Sequence, residues 1–235
     1  MTSLLSARNN KLLAALPEDV FARWAPLLEL VKLPLGKVLY EPGCAMSFVY
    51  FPVSAIISLL YVTHEGESTQ VALIGNEGVV GVSVLMSGQT TLDQAVVQNA
   101  GHAFRVRTQV MMAEFEQVGP VQNLLLRFAQ ALMSQMEQTA ACNRLHKLDQ
   151  QLCRWILMSM DRITGNELVM TQELLSKILG VRRESVTVVA LGLRDAHLIQ
   201  YARGLITVLD RTGLEDRVCE CYGVVKREYE RLLGH

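Results

Sequence analysis

No window of the chain approaches about 18 uninterrupted apolar residues, so a membrane-spanning helix is not expected. The N-terminal stretch MTSLLSARNNKLLAALPEDV lacks a basic start, a long apolar core and a small-residue cleavage site, and it does not read as an export signal. The expectation is a cytoplasmic protein without membrane contact. Cysteine is scarce: Cys44, Cys142, Cys153, Cys219 and Cys221 show neither the density of a disulfide scaffold nor a Cys–x–x–Cys pair. Cys219 and Cys221 stand two apart with no histidine near them in sequence to complete a zinc set. An N-terminal cluster suited to an iron–sulfur centre is missing too. Reduced, buried thiols with no metal and no cofactor are therefore expected. His64 and His102 are isolated and no His–x–His pair occurs, which speaks against a metal-dependent enzyme of the cupin type. No enzymatic activity is expected.

Charge is also sparse, at 19% of residues, whereas half of the 235 residues are hydrophobic. That is ample material for one large core or two modest ones. The net charge of -1 conceals a gradient. Residues 1–118 carry seven basic and ten acidic side chains, net -3, and residues 119–211 carry eleven and eight, net +3. A basic block after an acidic one points to a polyanion site in the later part.

Residues 9–30 read as helical, with a fresh start at Pro17-Glu18-Asp19. From about residue 33 to Thr108 the texture becomes short β-branched and aromatic runs, punctuated by Pro42-Gly43, Glu65-Gly66-Glu67 and Gly75-Asn76. Many short strands at this spacing imply a barrel or a rolled sandwich. A short helix over 109–116 and a break at Gly119-Pro120 precede the longest helical stretch, VQNLLLRFAQALMSQMEQTAACNRLHKLDQQLCRWILMSMDR. Its first half carries two apolar seams. One runs Leu126, Ala129, Met133, Met136, Ala140; the other runs Leu125, Phe128, Leu132 and continues into Gln135 and Thr139. Two seams allow packing on the chain's own domain and on a second copy at once, and the pattern leaves open which seam does which. Asn143, His146 and Asp149, farther along, read as packing and interdomain hydrogen-bonding residues rather than metal ligands.

Residues 172–179 make a short amphipathic helix with Thr171 as N-cap and Gly180 as its stop. A second helix runs from about Arg182 to Ala196, and LIQYARGLITVLD reads as a hairpin with Arg203-Gly204 in its turn. Leu175, Leu179, Val181, Val186 and Val189 supply the apolar contacts of a helix-turn-helix, Ser176 the small residue and Gly180 the corner. The arginine pair at the head of the second helix opposes the helix dipole, which favours acidic residues there. Phosphates and base edges would supply the missing negative partner. Thr171, Gln172, Arg182, Arg183, Glu184, Thr187 and Arg203 are accordingly the candidate DNA-binding residues. The tail LEDRVCECYGVVKREYERLLGH reads as one further amphipathic helix with Val218, Cys221, Val225 and Tyr229 at helical spacing.

The run TQELLSKILGVRRESVTVVALGLRDAHLI resembles the helix-turn-helix of the Crp/Fnr family of bacterial transcription regulators, in which Gly–x–x–Arg–Glu–(Ser/Thr)–Val opens the recognition helix. The order of elements agrees along nearly the whole chain. The resemblance implies an α+β protein: an N-terminal antiparallel β-roll of the cyclic-nucleotide-binding type (1–118), a long dimerisation helix and hinge (119–160), and a C-terminal winged helix-turn-helix domain (161–235). It places Arg183 and Glu184 on the family's main base-reading pair, and Val188 where cyclic-AMP-responsive members carry another arginine. Implied partners are double-stranded operator DNA, a second copy of the chain, RNA polymerase and a small-molecule effector.

The effector end departs from the cyclic-AMP pattern. In EGVVGVSVLMSGQTTLDQAVVQ, Gly81 fits, but Val82 stands where a glutamate would hold the ribose. No arginine is found near Leu92-Asp93 to hold a phosphate. Gly81, Val82, Leu92 and Asp93 mark the expected effector pocket, with conventional cyclic-AMP binding disfavoured because a buried unpaired phosphate is costly. Arg105 and Arg107 read as a paired surface strand. The competing function is a ligand- or protein-binding signalling module whose helix-turn-helix no longer binds DNA.

Overall fold

A computed structural model describes residues 6–86 and 90–234. The chain divides into two compact units, one holding residues up to Leu59 with Ile74–Gln130, the other Leu60–Leu73 with the chain from Ala131 onward. Among the described residues no helix is long and apolar enough to cross a membrane.

The first unit opens with short helices α1 (Lys11–Ala14) and α2 (Glu18–Trp24), and strand β1 (Glu29–Leu33) starts where a helix is expected from the sequence. The expected helices with a fresh start near Pro17 are present up to Leu27, and only Glu29 and Leu30 of the 9–30 range are strand. Residues Glu29–Leu33 pair antiparallel with β7 (Gly101–Arg107), Glu29 opposite Arg105, and this partner overrides local preference. Between them come β2 (Val38–Tyr40), β3 (Phe48–Pro52), β4 (Ile56–Val62), β5 (Ser68–Ile74) and β6 (Asp93–Asn99). They pair in the orders β1-β7-β3 and β2-β6-β4-β5, the many-stranded arrangement expected from the strand spacing, with residues 60–73 of β4, β5 and their turn counted in the second unit. Val49, Phe51, Ile56, Ile57, Val97 and Ala103 of these strands are buried with almost no exposure. Asn10, the N-cap of α1, is wholly buried and makes three hydrogen bonds. Its Nδ2 donates to the Pro52 and Gly78 carbonyls at 2.9 and 2.8 Å, and its Oδ1 accepts from Leu13 N to cap α1.

Helix α3 (Thr108–Phe115) and helix α4 (Pro120–Leu145) follow at the expected places. The long helical stretch, however, is two helices. Lys147 is extended, and α5 (Leu148–Met160) begins after it. The Gln151 side chain causes the break, because its Nε2 donates to the carbonyls of Cys142 and His146 at 3.3 and 3.0 Å and so caps α4. Gln150 Oε1 accepts from Lys147 N and caps α5.

In the second unit α5 is buried along residues 151–160 and forms the centre of the core. Around it lie β8 (Glu167–Val169), α6 (Gln172–Leu179), α7 (Arg183–Asp195), β9 (Ile199–Ala202) and β10 (Leu205–Val208). The three strands form one antiparallel sheet, β8-β10-β9, in which β8 is an addition to the two-stranded hairpin read from sequence. The tail is also two helices, α8 (Arg211–Arg217) and α9 (Glu220–Leu233), because Val218 and Cys219 are extended. Val218 is therefore at a turn, not on the α9 face that buries Cys221, Val225 and Tyr229.

Candidate nucleic-acid interface

Helices α6 and α7 meet through Leu175, Ile178, Leu179, Val186, Ala190 and Leu193, all buried, while Val181 and Val189 are half-buried at the edge of that contact. Gly180 ends α6 with φ +64° and ψ +35°, a left-handed conformation that costs a residue with a Cβ about 1–2 kcal/mol. Its N–H bonds back to the Ser176 carbonyl, and the chain turns directly into α7. Thr171 caps α6 by accepting from Leu174 N at 3.2 Å.

This corner brings four of the candidate residues to one cleft. Thr171, Gln172 and Arg183 line an open cleft of about 350 Å³ together with Tyr201, Ala202, Arg203 and Gly204. Arg183 is the first residue of α7, and its Nε reaches 3.5 Å from Gln172 Oε1, at the start of α6. Arg203 and Gly204 take φ +51° and +76° in the tight turn between β9 and β10, which presents the Arg203 side chain at the hairpin tip. Arg182, the N-cap of α7, faces a neighbouring cleft with Ser176, Lys177 and Ser185 instead. Glu184 is exposed in the first turn of α7, and Thr187 is half-buried with its hydroxyl donating to the Arg183 carbonyl at 3.0 Å. No carboxylate pairs with Arg182, Arg183 or Arg203 among the described residues. Three unpaired cations beside a positive helix end are electrostatically poised for an anion.

Tyr201 belongs to this surface and does not stand out in the sequence. Its hydroxyl donates to the Met170 carbonyl at 2.9 Å, and burial pushes its pKa up to about 12. The available signal was an aromatic residue two positions before Arg203 on a wing strand. Val188 points outward, 70% exposed, where a buried helix face would have hidden it.

The second cleft, about 710 Å³, is completed by Tyr61, Thr63, Gly66, Glu67, Ser68 and Thr69 of the β4–β5 hairpin, all within the second unit. Thr69 Oγ1 lies 3.5 Å from the Ile178 carbonyl and 3.3 Å from where a Gly180 Cβ would stand.

The four expected effector residues do not share one environment. Gly81 has φ +100° against Val49, and Val82 is buried at the start of a 3-10 turn over Val82–Met86. Leu92 is 81% exposed. Asp93 accepts from Tyr40 OH at 3.1 Å and from the Thr91 hydroxyl, and burial, then Asp93 itself, holds the Tyr40 phenol above its ordinary range. Part of the cassette, 87–89, lies outside the described residues. Arg105 is taken up by Glu29 through two bonds of 2.9 Å and lies over the Phe48 ring, as a paired strand residue should. Asp149 accepts from Arg217 Nε at 3.2 Å and Asn143 is exposed, but His146 lies among cysteines.

Residues 150–217 match the family model described as a Crp-like helix-turn-helix domain. The global nitrogen regulator of Synechococcus elongatus is 24% identical over 200 residues, covering 81% of this chain and 90% of that protein. Among solved structures, a chain assigned to the Crp/Fnr family from Eubacterium rectale superposes with a TM-score of 0.70 at 16% identity, over 89% of this chain and 98% of that one. FixK2 from Bradyrhizobium japonicum gives 0.67 at 15% identity, over 82% and 98%. The chain therefore carries a Crp-like helix-turn-helix domain over residues 150–217 and shares the fold of Crp/Fnr-type structures.

Proposed function

We propose that this chain is a Crp/Fnr-type transcriptional regulator, acting in the cytoplasm as a homodimer that reads a specific double-stranded DNA operator with α7 in the major groove. One observation carries the reading: Arg183, Gln172, Thr171 and Arg203 line a single exposed cleft, with no acidic partner for either arginine among the described residues. In this reading Arg183 donates to guanine O6 and N7, and Glu184 accepts from cytosine N4. Thr171, Gln172, Arg182 and Arg203 hold the phosphates on either side, and Thr187 fixes the first turn. Val188 offers a methyl surface to a thymine instead of a third guanidinium.

The exposure pattern of α4 supports the dimer. Leu125, Phe128, Leu132, Gln135 and Thr139 are buried within their own chain, whereas Leu126 and Met133 are 47% and 53% exposed and Ala140 is exposed. Positions 126, 133 and 140 repeat every seven residues with half-buried Met136 between them, as one edge of a two-stranded helical seam, while Ala129 is buried within its own chain. An effector acts through the rolled sheet, and conventionally bound cyclic AMP does not fit Val82 and Asp93. RNA polymerase is the expected protein partner at the promoter. Selection of bound sequences from random DNA, with and without a panel of nucleotides, tests the reading: an enriched two-half-site sequence supports it, and salt-insensitive or absent binding counts against it.

A further inference from the structure

We propose that Cys142, His146, Cys219 and Cys221 form a zinc site that fastens the tail helix α9 to the end of α4. The four donor atoms lie within 4.8 Å of one another. Cys142 Sγ is 3.5 Å from Cys219 Sγ, and Cys221 Sγ is 3.6 Å from His146 Nδ1. Zinc–sulfur bonds of about 2.3 Å in a tetrahedron set sulfur atoms about 3.8 Å apart, and sulfur and imidazole nitrogen slightly closer. The separations therefore suit one ion shared by four ligands. Cysteine sulfurs around a cluster of several irons stand wider apart than these.

The backbone explains why the set converges. Cys142 and His146 are four apart at the end of α4, hence on one face, and His146 N donates to the Cys142 carbonyl at 3.1 Å. Gln151 clamps the same carbonyls and fixes that turn. Cys219 is the N-cap of α9 and Cys221 lies in its first turn, where the helix dipole favours thiolates. Cys142, Cys219 and Cys221 are buried and His146 is half-buried, so bulk water has little access to the donors.

Two neighbours behave as an outer shell. His146 Nε2 lies 3.3 Å from Glu220 Oε1, so the nitrogen facing away from Cys221 has a carboxylate within reach to accept its N–H. That arrangement fixes the tautomer with Nδ1 free to bind. Arg154 is buried, its Nη2 donates to Thr139 Oγ1, and its Nη1 has no hydrogen-bond partner among the described residues. A buried cation needs a counter-charge. Three thiolates, one neutral imidazole and Zn²⁺ sum to one negative charge, and Arg154 acts electrostatically on both Cys142 and Cys221.

The full-length chain, purified under a phosphine reductant without chelator, is expected to carry one zinc per chain by elemental analysis. Cys219→Ser and His146→Ala should lose it, whereas Cys44→Ser, at an exposed cysteine outside the cluster, should keep it. Ligand variants of a buried site can misfold, so the wild-type chain stripped of metal and titrated with Co²⁺ gives an independent reading. The expected result is the intense visible absorption of tetrahedral thiolate-bound cobalt, saturating at one equivalent and displaced by zinc. A chain that holds no zinc and shows only the weak spectrum of octahedral cobalt would overturn the proposal. So would an iron–sulfur chromophore, or metal content unchanged in Cys219→Ser. None of these readouts depends on DNA binding.

Discussion

Arg183 Nε and Gln172 Oε1 lie 3.5 Å apart, which joins the first residue of α7 to the first residue of α6 across the corner at Gly180. The contact aims a side chain from a helix start where the dipole disfavours a cation, and it leaves the rest of the guanidinium facing the open cleft. Arg183→Ala is expected to lower affinity for the selected operator by about 1–3 kcal/mol, or roughly 5- to 150-fold, and to relax preference at one base position. Arg203→Ala, at the hairpin tip, should instead weaken all sequences alike and reduce the salt slope by about one. Titrations against operator and scrambled duplexes at several salt concentrations separate the two.

Gly180→Ala should destabilise the second unit by about 1–2 kcal/mol, because alanine must adopt φ +64° there. Its Cβ would also stand 3.3 Å from Thr69 Oγ1, tight enough to push the β4–β5 hairpin by a few tenths of an ångström. Gly180→Asn should lose less, since asparagine tolerates the left-handed region better. Thermal unfolding of the three chains gives the ranking.

Met133→Glu should convert the proposed dimer to monomer. Met133 is 53% exposed and contributes little to its own chain's core, so the secondary structure should survive while a glutamate faces its copy across the seam. Leu132→Glu, at a position only 5% exposed, should unfold the chain instead. Sedimentation together with circular dichroism distinguishes loss of association from loss of fold.

The fold was legible where local rules act alone. Gly180 after an amphipathic run and Arg203-Gly204 between two apolar runs announced the corner and the hairpin. The strand at Glu29–Leu33 was not legible, because its leucines suit a helix and only pairing with β7 makes it extended. The break at Lys147 was hidden for a similar reason: it depends on one glutamine reaching back to carbonyls of the preceding helix. At the interface, Arg183 and Glu184 could be named from the motif, but Tyr201 comes to the cleft only through the hairpin. The cysteines gave least away. Cys142 and Cys219 are 77 residues apart, and no spacing rule anticipates a ligand set assembled from the end of one helix and the start of another.

Stability should fall in acid through exposed carboxylates bound to arginines. Glu29, Glu228 and Asp19 are each held below the ordinary carboxylate range, chiefly by a side-chain hydrogen bond from Arg105, Arg231 and Arg23 respectively. A carboxyl lowered in the folded state contributes stability above its unfolded pKa, near 4.5 for Glu29 and Glu228 and 3.8 for Asp19. That contribution is lost as pH falls through the folded value. Denaturant midpoints should therefore hold steady from neutrality down to about pH 5 and decline below it. Arg105→Gln should shallow that decline without adding one at neutral pH. The pairs are solvent-exposed, so added salt should shrink their share.

Reading of DNA by α7 is tested most directly by selection from random duplexes with the purified wild-type chain, run beside Arg183→Ala. The expected result is a salt-sensitive, enriched sequence of two inverted half-sites about one helical turn, roughly 34 Å, apart. Preference at one position of each half-site should be lost in the variant. No enrichment by the folded wild-type chain, or an identical sequence enriched by Arg183→Ala, would contradict it.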